Sequence, residues 1–180
     1  MKDVEEIKTM NRAINIIFPH QLYTESELLN NGKEVYLIEE FLFFKQYHFH
    51  KQKIAFHRAT MKFYQQFLEA KNIVVHYIEA ENELADIRNF NKEIDAKNIT
   101  EINLIDPTDY WLEKRIAAIS KDIKLNTFSS PLFLNTKEDL AVFFKPEKKS
   151  FFQTTFYKQQ RIKYKILLEK DEQPTGGKWT

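Results

Sequence analysis

The stretch YHFHKQKIAFHRATMKFYQQFLEAK, residues 47–71, constrains the fold more than any other part of the chain. It reads as one long amphipathic helix entered through an aromatic and histidine-rich turn. Winding it at about 100° per residue puts Ile54, Phe56, His57, Thr60, Met61, Phe63, Tyr64, Phe67 and Leu68 on one half of the cylinder. Lys51, Arg58, Lys62, Gln65, Gln66 and Glu69 fall on the other. An apolar half that wide needs a broad surface to cover it. Strand-like patterns flank it, Val35 to Glu39 before and Ile73 to Ile78 after, so the economical partner is a parallel sheet with the helix as its crossover.

The rest of the chain supplies that sheet. Arg12 to Phe18 carries Ile14, Ile16 and Ile17, the near-continuous β-branched run of a strand covered on both faces, and Pro19 ends it. Asn31-Gly32-Lys33 turns the chain into a second strand, Glu34 to Glu39. A third strand is expected at Asn72 to Ile78, a helix at Glu83 to Asn98 and a fourth strand at Glu101 to Ile105. Asp106-Pro107-Thr108-Asp109 supplies a turn and an N-cap for a helix over Tyr110 to Lys121, and Ile123 to Phe128 forms the fifth strand. Helices near Glu138 to Phe144 and Phe151 to Glu169 follow. Residues 1–11 are polar and either fray or form a short leading helix. The alternation predicts a Rossmann-like α/β fold: an open five-stranded parallel sheet, order 3-2-1-4-5, with helices on both faces. One domain is expected over residues 1–170, with linker-like residues 171–180 ending in a tryptophan that has nothing after it to pack against, as if the chain were cut at a domain boundary.

Composition narrows the chemistry. A net charge of +1 over 180 residues gives no electrostatic footprint for tight nucleic-acid binding. With no cysteine there are no disulfides, thiolate metal sites or cysteine nucleophiles. The longest apolar run, Ile14 to Phe18, is far too short to span a bilayer, so a soluble cytoplasmic protein is expected. The turn after the first strand reads Pro19-His20-Gln21-Leu22, without the glycines that let a backbone approach a pyrophosphate, which argues against a dinucleotide or P-loop site.

In such sheets the ligand crevice lies outside the carboxyl ends of the strands, beside the switch point between strands one and four. Pro19 to Tyr23, Glu39 to Phe49 and Asp106 to Tyr110 would surround it. His20 follows strand one directly. Glu39 and Glu40 close strand two, either accepting hydrogen bonds from a ribose-like hydroxyl or lying at a solvated strand end. Phe41, Phe43, Phe44, Tyr47 and Phe49 form either a wall of the crevice or a cover for the sheet's end. Lys53, on the helix's first turn, either meets a polar ligand group or lays its stem on the helix boundary with its ammonium in water. His57 reads as a hydrogen-bonded histidine on the buried half. His48 and His50 are spaced for a strand rather than one helical face, and no HExxH motif is present, so no metal site is expected. Lys158, Arg161 and Lys165 either touch phosphates or form a solvated face. No nucleophile–base order or paired-carboxylate spacing points to catalysis within this chain.

The segment VYLIEEFLFFKQYHFHKQKIAFHRATMKFY, residues 35–64, with the later FYKQQRIKYKILLEKDEQPTGGKW, residues 156–179, resembles the N-terminal part of the deoxyribodipyrimidine photolyase-related proteins, the iron-sulfur bacterial cryptochrome and photolyase group. The resemblance implies an N-terminal α/β domain followed by a helical domain that binds FAD and a four-cysteine iron-sulfur cluster and docks damaged DNA. It implies an antenna role for this part, a ribityllumazine held in the crevice passing excitation to the flavin. The matching positions are Pro19, His20, Gln21 and Leu22, then Glu39 and Phe43, with Phe44, Phe49 and Lys53 beside them. Pro19-His20 stands where the family often has Gly-Asp, and Phe43 where some members have an acidic residue; fewer carboxylates then meet a heterocycle's polar edge.

The expectation is an antenna or cofactor-binding domain of a photolyase-related flavoprotein, serving light-driven DNA repair or blue-light sensing. Its partner would be the C-terminal helical FAD domain, and damaged DNA through that domain, with no membrane. A stand-alone nucleotide or small-ligand module, or a structural domain with a vacant crevice, are the alternatives.

Overall fold

A computed structural model describes residues 12–179, so the expectation for residues 1–11 lies outside the described residues. The chain divides into two compact units, the first ending at Ser130 and the second starting at Pro131.

In the first unit five parallel strands, β1 (Arg12–Ile17), β2 (Val35–Ile38), β3 (Val75–Ile78), β4 (Ile99–Ile105) and β5 (Lys124–Phe128), lie in the order β3-β2-β1-β4-β5. This is the α/β arrangement the alternation predicts. Ile16 pairs with Tyr36 across β1–β2, and Ile14 with Ile102 across β1–β4. The connections are α1 (Phe41–Phe44), α2 (Lys51–Ala70), α3 (Asn91–Lys97) and α4 (Tyr110–Ile119).

Strand periodicity sorts the core into two clusters. Ile14, Ile16, Phe18, Tyr36 and Ile38 pack with Ile94 of α3 and Leu112 and Ile116 of α4. Ile17, Val35 and Leu37 pack with Met61, Tyr64 and Leu68 of α2. Polar groups are buried on that side too, Asn15 among them. Asn15 donates to Asn31 Oδ1 at 2.9 Å and Asn31 donates back to Asn15 Oδ1 at 2.7 Å, pinning the loop before β2 to β1.

Two elements of this unit differ from the sequence expectation. The organising helix starts at Lys51, directly after its expected histidine-rich entry turn, with His50 Nδ1 accepting from Gln52 N at 3.2 Å to cap it. Its inward stripe is narrower than a half-cylinder: Phe56 and Phe63, expected to be buried, are 70% and 73% exposed. Arg58, expected on the solvent half, reaches a buried carboxylate instead. The single helix expected over Glu83 to Asn98 is two short 3-10 turns and α3. Asn82 and Asp86 accept from Leu84 N and Arg88 N, so these side chains capture the backbone and stop a continuous helix.

The second unit holds α5 (Lys137–Phe143) and α6 (Gln153–Tyr164). A Thr136–Asp139 capping box starts α5, and Phe143, Phe144, Phe151 and Phe156 form an aromatic cluster. Helix α6 stops twelve residues in, where Lys165 takes a left-handed conformation and the Arg161 guanidinium bonds the carbonyls of Ile166 and Leu167. Leu168 bridges Pro174, and Trp179 lies beside Lys158 and Arg161, residues that precede it in the chain.

Candidate crevice at the carboxyl ends of strands one, two and four

Beyond β1 the chain turns at Pro19, and Gln21 N closes the turn on Phe18 O at 2.9 Å. The Gln21 side chain is then fully used on one end and unused on the other. Its Nε2 donates to Ile105 O at 3.0 Å and to Asp106 O at 3.3 Å, stapling this turn to the end of β4. Those two carbonyls fix which end of the amide is nitrogen. Its Oε1 is buried with no partner, on a residue only 2% exposed.

His20 repeats the pattern. Its Nε2 lies 2.9 Å from Pro107 O, and a carbonyl can only accept, so Nε2 carries the hydrogen and neutral Nδ1 is an acceptor. That Nδ1 is also buried and unpartnered. Burial pushes the imidazole below the usual histidine range, against the opposing pull of the Pro107 carbonyl and the Asp109 charge. A buried acceptor without a donor costs about 1–3 kcal/mol. Two such acceptors on adjacent residues, at the switch point of an open parallel sheet, are what a site keeping hydrogen bonds for a ligand looks like.

Aromatic rings wall this corner. The His20 ring stacks on Phe43 at 4.9 Å, and His57 of α2 sets its ring 6.4 Å from Phe43 and 6.1 Å from Phe44. His57, for which sequence suggests a hydrogen-bonded role, makes ring contacts here; burial, with Lys53 and His20 nearby, lowers its pKa. Glu40 holds Phe43 in place: its Oε2 accepts from Leu42 N at 2.5 Å and caps α1, while Oε1 lies 3.3 Å from Arg115 Nη1. Burial raises the Glu40 pKa despite these contacts.

Glu39 is differently placed. Its fully buried carboxylate takes Arg58 Nε at 2.7 Å and Nη2 at 2.5 Å, Tyr77 OH at 2.6 Å and Ala80 N at 2.8 Å. Four donors fill its acceptor directions, leaving none for a ligand hydroxyl. Burial alone would raise this carboxyl; the bonds from Arg58, Tyr77 and Ala80 outweigh it and hold the pKa below the usual range.

The structure thus brings His20, Gln21, Phe43 and Phe44 together and adds His57, Pro107 and the Glu40–Arg115 pair. Leu22 belongs to the core on the α2 side, beside Tyr23. Phe49 sits on the turn into α2, its ring edge-on to Tyr47 and under the Lys53 ammonium at 3.9 Å; the exposed Lys53 bears on the corner only through its charge near His57. Pro107 lies in the Asp106 to Tyr110 loop expected beside the crevice, whereas Arg115 lacks any local sequence signal, because it arrives through tertiary contact across the sheet edge. Arg58 had one: a glutamate closing a strand buried on both faces needs a cation. Among the described residues no group of three or more histidine, aspartate or glutamate side chains is placed to hold a metal ion, and no helix is long and apolar enough to cross a membrane.

An open parallel sheet of order β3-β2-β1-β4-β5 defines the class, a Rossmann-like α/β domain. Comparison with known proteins adds the lineage. Residues 15–180 match the family described as deoxyribodipyrimidine photo-lyase-related protein, and the chain belongs to that family. It is also 33% identical, over 182 aligned residues, to a protein of Acanthamoeba polyphaga mimivirus called uncharacterized protein R852, with 94% of this chain and 91% of the viral protein covered. The viral relative is therefore of comparable length.

Proposed function

We propose that the first unit is an antenna-type domain that binds a planar heterocycle of the ribityllumazine class at the corner formed by His20, Gln21 and Phe43. The carrying observation is the pair of buried, unpartnered acceptors, Gln21 Oε1 and His20 Nδ1. They suit that ligand: a lumazine ring has an imide N–H and its ribityl chain has hydroxyl donors, while an anionic group would meet two lone pairs. When bound, such a chromophore absorbs light and passes the excitation on. Gln21 and His20 would accept from the ligand, Phe43 and His57 would flank its ring, and Glu39 and Glu40 would act only by holding the backbone of strand two and α1 in place. In this reading the flavin and iron-sulfur chemistry, and the damaged DNA, belong to a helical partner domain, and the assembly serves light-driven repair or blue-light sensing.

A second reading, a stand-alone small-ligand module, draws on the comparable length of the viral relative. Absorption titrations with ribityllumazine, FMN and ATP separate the two. Saturable lumazine uptake, with FMN and ATP at least about tenfold weaker, supports the antenna reading; ATP bound tightly without lumazine uptake supports the second.

Affinity should also report the His20 charge. Acceptance at Nδ1 requires the neutral ring, and the folded pKa lies below the ordinary value of about 6.5. Lumazine affinity is therefore expected to stay flat from about pH 8 to about pH 6.5 and to fall only at lower pH, as the ring protonates. His20→Phe, which keeps a ring against Phe43 and removes both nitrogens, should weaken binding about tenfold and abolish that acid limb.

A further inference from the structure

Helix α1 is four residues long, too short to hold its own orientation, yet it carries the Phe43 wall of the corner. Its setting comes from other elements. Phe44 is buried with Met61 and Tyr64 of α2 and fixes one flank. The other flank meets Arg115 of α4, whose Nη1 lies 3.3 Å from Glu40 Oε1 just ahead of α1 and whose Nη2 donates to Gln46 Oε1 at 2.9 Å just behind it. The guanidinium carbon also lies 5.8 Å from the centroid of the Phe41 ring. Arg115 thus spans α1 from end to end.

Burial makes the span firm. The Arg115 side chain is 13% exposed and that of Glu40 not at all, so the pair is costly to break from either side. Arg88 is the contrast: its guanidinium sits 5.6 Å from the same Phe41 ring, but it is half-exposed and bonds Asp86 rather than α1. Helix α4 reaches the opposite side of the corner as well. The Pro107 carbonyl, in the turn leading into α4, takes the His20 Nε2 hydrogen at 2.9 Å, and the His20 ring stacks on Phe43 at 4.9 Å. One helix and its leading turn therefore hold both rings of that stack.

We infer that Arg115 is a positioning residue for the crevice: by tying both ends of α1 to α4 it sets the tilt of Phe43 against His20, and with it the wall that a planar ligand ring meets. The binding half of this inference rests on the antenna reading, and the ring geometry does not.

The test reads both halves. Stacking on Phe43 shifts the His20 ring protons upfield, and NMR of the full chain without ligand follows them, assigned by their loss in His20→Phe. Arg115→Met, which keeps most of the packing of the stem, should move those resonances toward a free imidazole's and weaken ribityllumazine binding about tenfold. Arg115→Lys, able to reach one of the two acceptors, should recover part of both losses. Gln46→Ala cuts the outer anchor and leaves Glu40 paired, so it should shift the resonances the same way by less, and it carries the test if Arg115→Met does not fold. Arg88→Met, beside the same Phe41 ring, should change neither readout. Parent-like His20 shifts in folded Arg115→Met or Gln46→Ala, whatever their stability, would overturn the inference, as would Arg88→Met moving the shifts equally. If the parent takes up no lumazine, the antenna reading fails while the His20 shifts still decide the role of Arg115.

Discussion

Replacing Leu68 with alanine is expected to lower stability by about 3 kcal/mol, a fall in melting temperature of roughly 10 °C for a chain of this size. Leu68 is fully buried between α2 and the β1–β2 side of the sheet, together with Met61 and Ile17. Its truncation removes the transfer energy of the lost carbons and leaves a cavity that a crossover helix, held by two strands, cannot collapse onto. Phe63→Ala, one and a half turns earlier and a larger deletion, should change stability by no more than about 0.5 kcal/mol because the ring is mostly in water. Thermal unfolding of the pair checks the orientation of the helix directly. Comparable losses from both would mean that the outward stripe is covered.

The second large effect is expected at Glu39. Glu39→Gln keeps the volume but removes the charge that Arg58 grips with two nitrogens, and turns two of the four satisfied acceptor sites toward a donor. Breaking a buried pair from one side typically costs 3–5 kcal/mol; because Arg58 is partly exposed and can recover water, the loss expected is at the low end, about 3 kcal/mol. The same linkage sets an acid limb. The Glu39 pKa is depressed in the folded chain, so its contribution is complete above the unfolded value of about 4.3 and disappears as pH falls through the folded value. His20 acts in an earlier window with the same sign. A ring kept neutral by burial costs nothing above about pH 6.5, and stability drops below that as the unfolded chain takes up the proton first. Urea unfolding of the parent between about pH 7 and pH 3 should therefore show a loss below about pH 6.5 that His20→Phe reduces, with His57 supplying the rest, and a loss below about pH 4.5 that Glu39→Gln reduces, with Glu34 and Glu93 supplying the rest.

The sheet was legible because its information is local and periodic. The isoleucines of β1, the β2 run and the crossover length leave little choice of strand order once right-handed connections are required. What the helical wheel could not show was how much of α2 the sheet covers. Phe56 and Phe63 share a hydrophobic half with Met61 and Leu68, and only the width of the surface beneath decides which of them is buried. Asn82 and Asp86 carried a signal, a capping residue ahead of each 3-10 turn, that a pattern of inward Leu84, Ile87 and Ile94 masks. At the crevice, position after a strand was enough to single out His20, while Gln21 was singled out only by the family resemblance. The saturation of Glu39 was not legible, because Tyr77, Ala80 and Arg58 come from β3, the loop after it and α2, and only folding brings those donors to one carboxylate.

The most direct test is the binding of ribityllumazine to the parent chain and to Gln21→Met, followed by absorption at about pH 7.5. Methionine keeps the length of Gln21 while removing the acceptor; circular dichroism establishes that the fold is retained. The account predicts saturable one-to-one binding by the parent and a loss of about tenfold or more in Gln21→Met. Equal affinity in the two proteins would show that the unpartnered acceptor serves no ligand, and no uptake by the parent would contradict the antenna assignment itself.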